Sequence, residues 1–340
     1  MRQMKIGQEG REVSVISMGT LSIGGDGVWG GSDDAESIRA IHRAMELGIN
    51  WFDSSNFYGY GHAEEVLGRA VKGRRDEVFI STKCGMEVDS GEGSPFFVRD
   101  GHVITRNLST KAVRRSLEGS LKRLQTDHVD ILITHWQSIP PAFTPIEETM
   151  STLMDLKKEG KILGIGISNV ELSQIQEYQK FGSVDLVQER YSMLDPTSFD
   201  RLNPYCEASG IVYQAYSVLE RGLLTGAYTM DSVVKAGDAR NEWCVWYQPN
   251  RRRCIIDLLD SWKPLCEKYH TSQAGLTIAW TLQQASNINV DAGSRRVKAV
   301  EENVQGGSFL IEEDDLAKMN AAIKKIIDEE GVVGGNPTGR

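Results

Sequence analysis

One pattern repeats eight times along the chain: a short apolar run ends in polar or small residues, and an amphipathic helical segment follows. The runs are 16–20, 49–53, 78–83, 129–135, 162–168, 186–188, 211–216 and 288–293. The helical segments are 33–47, 63–72, 110–124, 146–158, 171–180, 199–208 and a longer region over 251–284, with 298–304 and 312–327 closing the chain. Buried strands alternating with helices make a parallel sheet, because parallel neighbours need a crossover connection. Eight such units point to an α/β fold with a closed (β/α)8 TIM barrel; a doubly wound open sheet is the alternative. Against the open sheet stands the lack of a dinucleotide-binding turn. The nearest candidate, Gly164-Ile165-Gly166-Ile167-Ser168-Asn169, lies inside an apolar run and has no third glycine opening a helix. Ahead of the first run, Met4-Lys5-Ile6 and Val13-Ser14-Val15 flank a turn over Gly7 to Gly10, which predicts a β-hairpin. No linker or low-complexity tract interrupts the pattern, so residues 1–340 are expected to form a single domain.

Three connections after strands are long: 21–31, 85–108 and 219–250. In a barrel these belong to the face at the strand C-termini, where substrates are handled. The first carries Trp29, and the third carries Trp243, Trp246 and Tyr247. These aromatics either line a pocket or pack their own loops.

A formal net charge of -9 argues against nucleic-acid binding, since phosphate neutralisation needs clustered Lys and Arg. The one basic run, Arg251-Arg252-Arg253, reads as the solvated face of a helix. Five dispersed cysteines without a C-x-x-C pair suggest neither a disulfide framework nor a zinc site, and a metal is not expected. The N-terminus lacks the apolar core of a signal peptide, and no stretch approaches a membrane span. The expectation is a cytoplasmic protein, with homo-oligomerisation left open.

The chemistry lies at the ends of the apolar runs. The second ends on Asp53, the third on Lys83 and the fourth on His135, and Tyr58 follows Asp53 in the stretch FDSSNFYGYG. Singly, each has a structural explanation: a turn cap, a lysine snorkelling from a strand end, a core histidine. Together they carry more weight. Neighbouring strands lie about 4.8 Å apart, so three consecutive strand ends bring an acid, an ammonium and an imidazole within roughly 10 Å. A free phenol has a pKa of about 10, too high for ready proton exchange at neutral pH. Lys83 is expected to lower it, with Asp53 holding the ammonium in place. Tyr58 then donates a proton to a developing alkoxide while His135 orients the carbonyl oxygen. Side chains supply no hydride, so a nicotinamide cofactor is implied.

At these residues the sequence resembles the aldo-keto reductase superfamily, over nearly the whole chain. The superfamily's Asp, Tyr, Lys and His tetrad falls on Asp53, Tyr58, Lys83 and His135. Met18-Gly19-Thr20, Gly61-His62-Ala63-Glu64-Glu65-Val66-Leu67-Gly68, Gly164-Ile165-Gly166-Ile167-Ser168-Asn169, Gln188 in VQERYSML, Tyr216-Ser217 in QAYSVLERGLLTG, and Glu302-Asn303 match as well. The THWQS and FTPIEET stretches resemble a bacterial branch that includes NADH-preferring methylglyoxal reductases. The resemblance implies a barrel that binds NADH or NADPH across its C-terminal face. In it Ser168, Asn169 and Gln188 hold the nicotinamide carboxamide and Tyr216 stacks on the ring. Ser217, Leu219, Gly222 and Leu224 wrap the pyrophosphate. Gly293, Ser294, Arg295 and Asn303 surround the adenosine, with Glu302 near the adenine, and Gly19, Thr20 and Asp53 complete the cofactor set. Trp29, Tyr58, His135, Trp136 and Trp243 are the expected substrate contacts.

Three positions depart from the pattern. Ala227 stands where the family often has Lys, Val218 where Pro is common, and Ala299 where Arg or Gln is usual. The last weakens one common contact to a 2′-phosphate, for which Arg295, Arg296 or Lys298 could substitute, and tilts the expectation to NADH or dual use. The implied activity is reduction of small aldehydes, ketoaldehydes or sugar-derived carbonyls. A sugar or polyol dehydrogenase running the reaction backward, and a cofactor-sensing binding subunit, are the alternatives.

Overall fold

The computed structural model describes residues 1–7, 10–25, 30–234, 240 and 244–331. The hairpin pairs β1 (Gln3–Ile6) with β2 (Arg11–Ser14), Gln3 opposite Ser14. In chain order there follow β3 (Ile16–Gly19), β4 (Trp51–Asp53), β5 (Phe79–Cys84), a trio of β6 (Met86–Val88), β7 (Ser94–Arg99) and β8 (His102–Arg106), then β9 (Val129–Thr134), β10 (Ile162–Ser168), β11 (Leu186–Arg190), β12 (Val212–Tyr216) and β13 (Ile288–Asp291). Eight of these close a barrel in the order β10-β11-β12-β13-β3-β4-β5-β9. Every pair in it is parallel. Closure, and not a doubly wound sheet, is what the eight repeats build.

Helices cover the outside because each has one apolar stripe. In Thr110–Leu124, Val113, Leu117, Leu121 and Leu124 recur at helical spacing and are buried. The chain turns into these helices at identifiable caps. The Asp33 carboxylate accepts from the amides of Ala35 and Glu36, and Glu171 with Gln174 forms a capping box.

The barrel interior is layered. At the N-terminal end the hairpin plugs the opening, packing Ile6 and Val13 against Trp51, Phe79, Ile131, Ile133, Leu186 and Val212. Above this apolar floor lies a polar layer. Gln188 Nε2 donates to Gln214 Oε1 at 2.7 Å, Gln214 Nε2 to Ser17 Oγ at 2.9 Å, and Ser17 Oγ to Asn289 Oδ1 at 2.8 Å. The layer above that holds the reactive groups.

Several expectations are corrected. Segment 85–108 is not an open loop: its strands form a three-stranded antiparallel sheet in the order β6-β8-β7. The signal was present as Asp100-Gly101, whose positive φ values of 52° and 83° make the hairpin turn between β7 and β8. The long helical region is three helices, Pro249–Ser261, Lys263–Lys268 and Gln273–Leu282. Pro264 opens the second, and the Ser272 hydroxyl caps the third by accepting from Gly275 N. Arg252 is not on a solvated face; it is buried and donates to the carbonyls of Ser232 and Met230 at 2.8 and 2.9 Å. Of the two readings left open for the aromatics of the third connection, Trp246 and Tyr247 take the packing one: both belong to the core.

Candidate active site

The FDSSNFYGYG stretch ends β4 and turns sharply. Ser54 and Ser55 are fully buried, and Tyr58 N donates to Ser55 O at 3.1 Å, so the backbone folds back at once. Gly59, Tyr60 and Gly61 then take φ values of 56°, 57° and 102°. Three consecutive left-handed residues are tolerated because two are glycine. Gly59 also touches the first βα connection: a Cβ there would fall 2.2 Å from Gly24 O. This turn holds the Tyr58 ring over the barrel mouth.

Register explains the partners. Asp53 pairs with Ser81 across β4 and β5, and Lys83 follows two residues on, facing the same way. The Lys83 ammonium, fully buried, donates to Asp53 Oδ2 and, at 2.8 Å, to Ser54 O. Ser81 Oγ donates to the other Asp53 oxygen at 2.7 Å. Lys83 Nζ lies 4.8 Å from the Tyr58 ring centre. The His135 ring stands edge-on to Tyr58, with centres 5.9 Å apart. Its Nδ1 is 3.3 Å from Ser55 Oγ. The four groups, read from three strand ends and the turn after β4, are thus one cluster.

Their electrostatics differ in one respect from the sequence expectation. Burial is the largest influence on the Tyr58 phenol; Lys83 lowers its pKa, Asp53 and Asp291 raise it, and the net is a rise to about 12. The phenol is therefore held protonated, not activated toward phenolate. Burial disfavours the Lys83 ammonium, but Asp53 and Tyr58 outweigh it and the pKa ends above its usual value. Burial, with Lys83 adding to it, pushes His135 well below the ordinary imidazole range, so the ring is neutral.

A cavity of about 800 Å³ opens above the cluster. Tyr58, His135 and Trp136 line one end with Phe57, Met86, Phe96, Phe97 and Arg99. Ser294, Arg295, Arg296, Ala299, Glu302 and Asn303 line the other. Between them lie Gly19, Ser168, Asn169, Gln188, Tyr216, Ser217, Leu219, Gly222 and Gly293. Two expected wall residues do not reach it. Thr20 is buried, its hydroxyl donating to Asp53 O at 3.0 Å, and Leu224 packs in the core. Asp53 also sits behind the wall, fully buried beneath Lys83. Trp29 and Trp243 lie outside the described residues. The departing positions Val218, Ala227 and Ala299 all border the cavity.

Sequence reasoning missed four contributions. Asp291 ends β13 as Asp53 ends β4, and that shared signal could have found it. The aromatic wall of Phe96 and Phe97 comes from the unrecognised sheet. Arg221, Tyr228 and Arg240 line the cavity from the third long connection. The turn after β12 is the fourth: Ser217, Glu220 and Arg221 are non-glycine residues with φ of 62°, 44° and 55°. Surrounding structure must hold such a turn. Here the buried Glu220 pairs with Arg190 at 2.8 Å, and Tyr247 OH donates to Arg221 O at 3.0 Å.

The polar centre of the wall is tied together rather than loose. Tyr216 OH donates to Asn169 Oδ1 at 2.9 Å, and Asn169 Nδ2 donates to His135 O at 2.7 Å. A cavity of this size, lined by the proton-bearing cluster and by the guanidinium groups of Arg221, Arg295 and Arg296, fits a dinucleotide bearing phosphates. Gly293 supports that fit, since a Cβ there would project into the gap toward Gly19 O, 3.5 Å away. Among the described residues no group of His, Cys, Asp and Glu is arranged to hold a metal ion. No described helix is long and apolar enough to cross a membrane.

The sequence model of the Aldo/keto reductase family matches residues 15–324. The chain is 39% identical to the NADH-specific methylglyoxal reductase of Escherichia coli (strain K12), over 94% of this chain and 97% of that protein. It is 29% identical to the aldo-keto reductase YhdN of Bacillus subtilis (strain 168), over 97% and 96%. In structure it resembles the glycerol dehydrogenase AKR11B4 from Gluconobacter oxydans, with a TM-score of 0.85, 27% identity and 98% of each chain covered. The barrel, the strand-end cluster and these matches agree: the chain belongs to the aldo/keto reductase family and is an NAD(P)H-dependent oxidoreductase acting on carbonyl groups.

Proposed function

We propose that this enzyme reduces small aldehydes, methylglyoxal-like ketoaldehydes or sugar-derived carbonyls to alcohols, with Tyr58 as the proton donor and NADH favoured. What carries the reading is the contact set of Tyr58, Lys83, Asp53 and His135 at the cavity floor. The cofactor, when bound along the cavity, supplies the hydride. Every other step belongs to the chain.

The substrate carbonyl oxygen sits between the Tyr58 hydroxyl and the His135 ring. In this mechanism the neutral imidazole, whose Nδ1 faces the Ser55 hydroxyl at 3.3 Å, carries its proton on Nε2, where it donates to that oxygen and orients it. As negative charge develops, Tyr58 releases its proton to the alkoxide. The phenolate left behind is stabilised by the Lys83 ammonium, and Asp53 keeps that ammonium charged and aimed. The aromatic wall of Phe57, Phe97 and Trp136 shields the oxygen from water, which strengthens each of these interactions. Ser168, Asn169, Gln188 and Tyr216 hold the nicotinamide, the turn at Ser217 to Gly222 holds the pyrophosphate, and Gly293 to Arg295 with Glu302 and Asn303 hold the adenosine. Ala299 in the wall and the acidic Glu302 beside it favour a cofactor without a 2′-phosphate. The setting is one barrel domain in the cytoplasm.

The test is to purify the protein and follow nicotinamide absorbance over a carbonyl panel, with NADH and NADPH in parallel. Tyr58→Phe keeps the ring and removes the proton. Turnover retained in that variant sinks the mechanism. A second reading, oxidation of a sugar or polyol, draws on the likeness to the Gluconobacter oxydans glycerol dehydrogenase. Steady-state rates in both directions near neutral pH separate the two.

A further inference from the structure

Every residue of the turn after β12, from Ser217 to Gly222, borders the cavity except Glu220. Glu220 is fully buried instead. Its carboxylate accepts from Ser192 Oγ at 2.5 Å, from Arg190 Nη2 at 2.8 Å and from Cys244 Sγ at 3.4 Å. Arg190 ends β11, the strand beside β12, two residues after Gln188 of the cavity wall. Cys244 comes from the far part of the third long connection. One carboxylate thus ties the cavity-facing turn to the neighbouring strand and to a distant segment.

The backbone there needs such a hold. Glu220, Arg221 and Gly222 take φ values of 44°, 55° and 99°, three left-handed residues in a row of which only the last is glycine. Side chains disfavour that conformation, so the segment alone would relax to others. A buried ion pair is a poor source of stability, because desolvating both partners offsets most of their attraction. What it supplies is direction. Carboxylate oxygens accept along defined lines, so the bonds to Arg190 and Ser192 fix where Glu220 sits in a way that apolar packing does not. Arg190 also meets Asp195, its Nε 2.9 Å from Oδ2, and so keeps a counterion without Glu220.

We propose that Glu220 is a positioning residue for the cofactor: its buried bonds to Arg190 and Ser192 hold the left-handed turn in the shape that receives the diphosphate, and so set cofactor affinity and not the chemical step. This rests on the reading above that the turn from Ser217 to Gly222 takes the diphosphate. When the turn is loose, its binding-competent shape is only a fraction of the population, and the apparent affinity falls by that fraction. The reacting groups stand apart from this clamp. Lys83 bonds to Asp53 and Ser54, and His135 meets Ser55, so neither shares a partner with Glu220. A cofactor that has bound therefore still meets an intact cluster.

The experiment compares wild type with Glu220→Ala and Glu220→Gln, both of which leave Arg190 its Asp195 counterion. Circular dichroism checks that each variant is folded. The Kd for NADH, read from quenching of tryptophan fluorescence, should rise by at least about tenfold in Glu220→Ala. Glu220→Gln keeps one acceptor for Ser192 and should fall between that variant and wild type. The kcat at saturating NADH should not drop. A merely structural Glu220 would lower the melting temperature and leave the Kd of the folded protein unchanged, and that result overturns the proposal. A loss carried by kcat instead of Kd overturns it as well. Should the alanine variant fail to fold, the glutamine variant decides: a Kd within about twofold of wild type sinks the idea. Binding of ADP-ribose and of AMP, which lacks the diphosphate, separates the proposal from the reading beneath it. A loss in Glu220→Ala that is larger for ADP-ribose than for AMP supports both. Equal losses defeat the placement of the diphosphate on the turn, and the proposal with it. No loss for either overturns the proposal alone.

Discussion

In the proposed mechanism Asp53 and Lys83 serve both stability and chemistry. Both are fully buried, and each is the other's main compensation for leaving water. Removing one partner strands the other charge, which typically costs about 3–5 kcal/mol, whereas replacing both is far milder. Lys83→Met is therefore expected to lower the urea midpoint strongly. The double variant Lys83→Met with Asp53→Leu should recover most of that loss while remaining inactive. Additive losses across this double-mutant cycle would argue against the pairing. Tyr58 is a different case, because the proposed mechanism gives its hydroxyl a chemical task and its ring a packing one. Tyr58→Phe should reduce kcat by at least about 10²-fold, the usual contribution of a positioned proton donor, with little change in melting temperature.

At the scale of elements, the segment after β4 and the trio β6, β7 and β8 shape the site. Gly59 occupies left-handed backbone and faces Gly24 O at a distance that leaves no room for a side chain. Gly59→Ala should destabilise the protein by about 1–3 kcal/mol and lower kcat as well, since the same turn holds Tyr58. Calorimetry and steady-state kinetics on one preparation check both. The trio supplies Phe96 and Phe97, and Phe96 packs between Phe97 and Trp136, tilted to the first and edge-on to the second, with ring centres 4.8 and 5.2 Å away. Phe97→Ala should raise KM for bulky carbonyls more than for small ones.

Elements also mark where sequence reading works. Barrel strands were legible because each is buried on both faces and reads as an apolar run, and the tetrad was legible because its members end such runs. The trio was not: β7 and β8 are partly exposed, with Pro95, Val98 and Val103 turned to solvent, so neither reads as a strand buried on both faces. Asp291 escaped because an acid after Val290 looks like a strand terminator until β3 brings Ser17 and Gly19 beside it. Trp246 stayed undecided in the sequence because an aromatic in a long connection can pack inward as readily as toward a pocket. Its burial follows from contacts far along the chain, which no local pattern encodes.

The whole molecule shares one electrostatic trait: its buried phenols resist ionisation. Burial is the leading cause of raised pKa values at Tyr58, Tyr178, Tyr191, Tyr213 and Tyr247. In the unfolded chain these phenols titrate near their ordinary value of about 10. The folded values lie above it, so the native state binds more protons than the unfolded state once the pH exceeds that value. Stability is then fully present below about pH 10 and is lost as the pH rises toward the folded values, by roughly 1.4 kcal/mol per pH unit for each phenol that titrates only on unfolding. Lys83 adds to the same trend, because its pKa is also raised by folding. Urea midpoints measured through the alkaline range should therefore fall steeply above about pH 10, with the tyrosinate absorbance of these five phenols appearing together with loss of helical signal. Tyrosinate absorbance that grows to the full count of buried phenols while the barrel remains folded would contradict the burial that the packing describes.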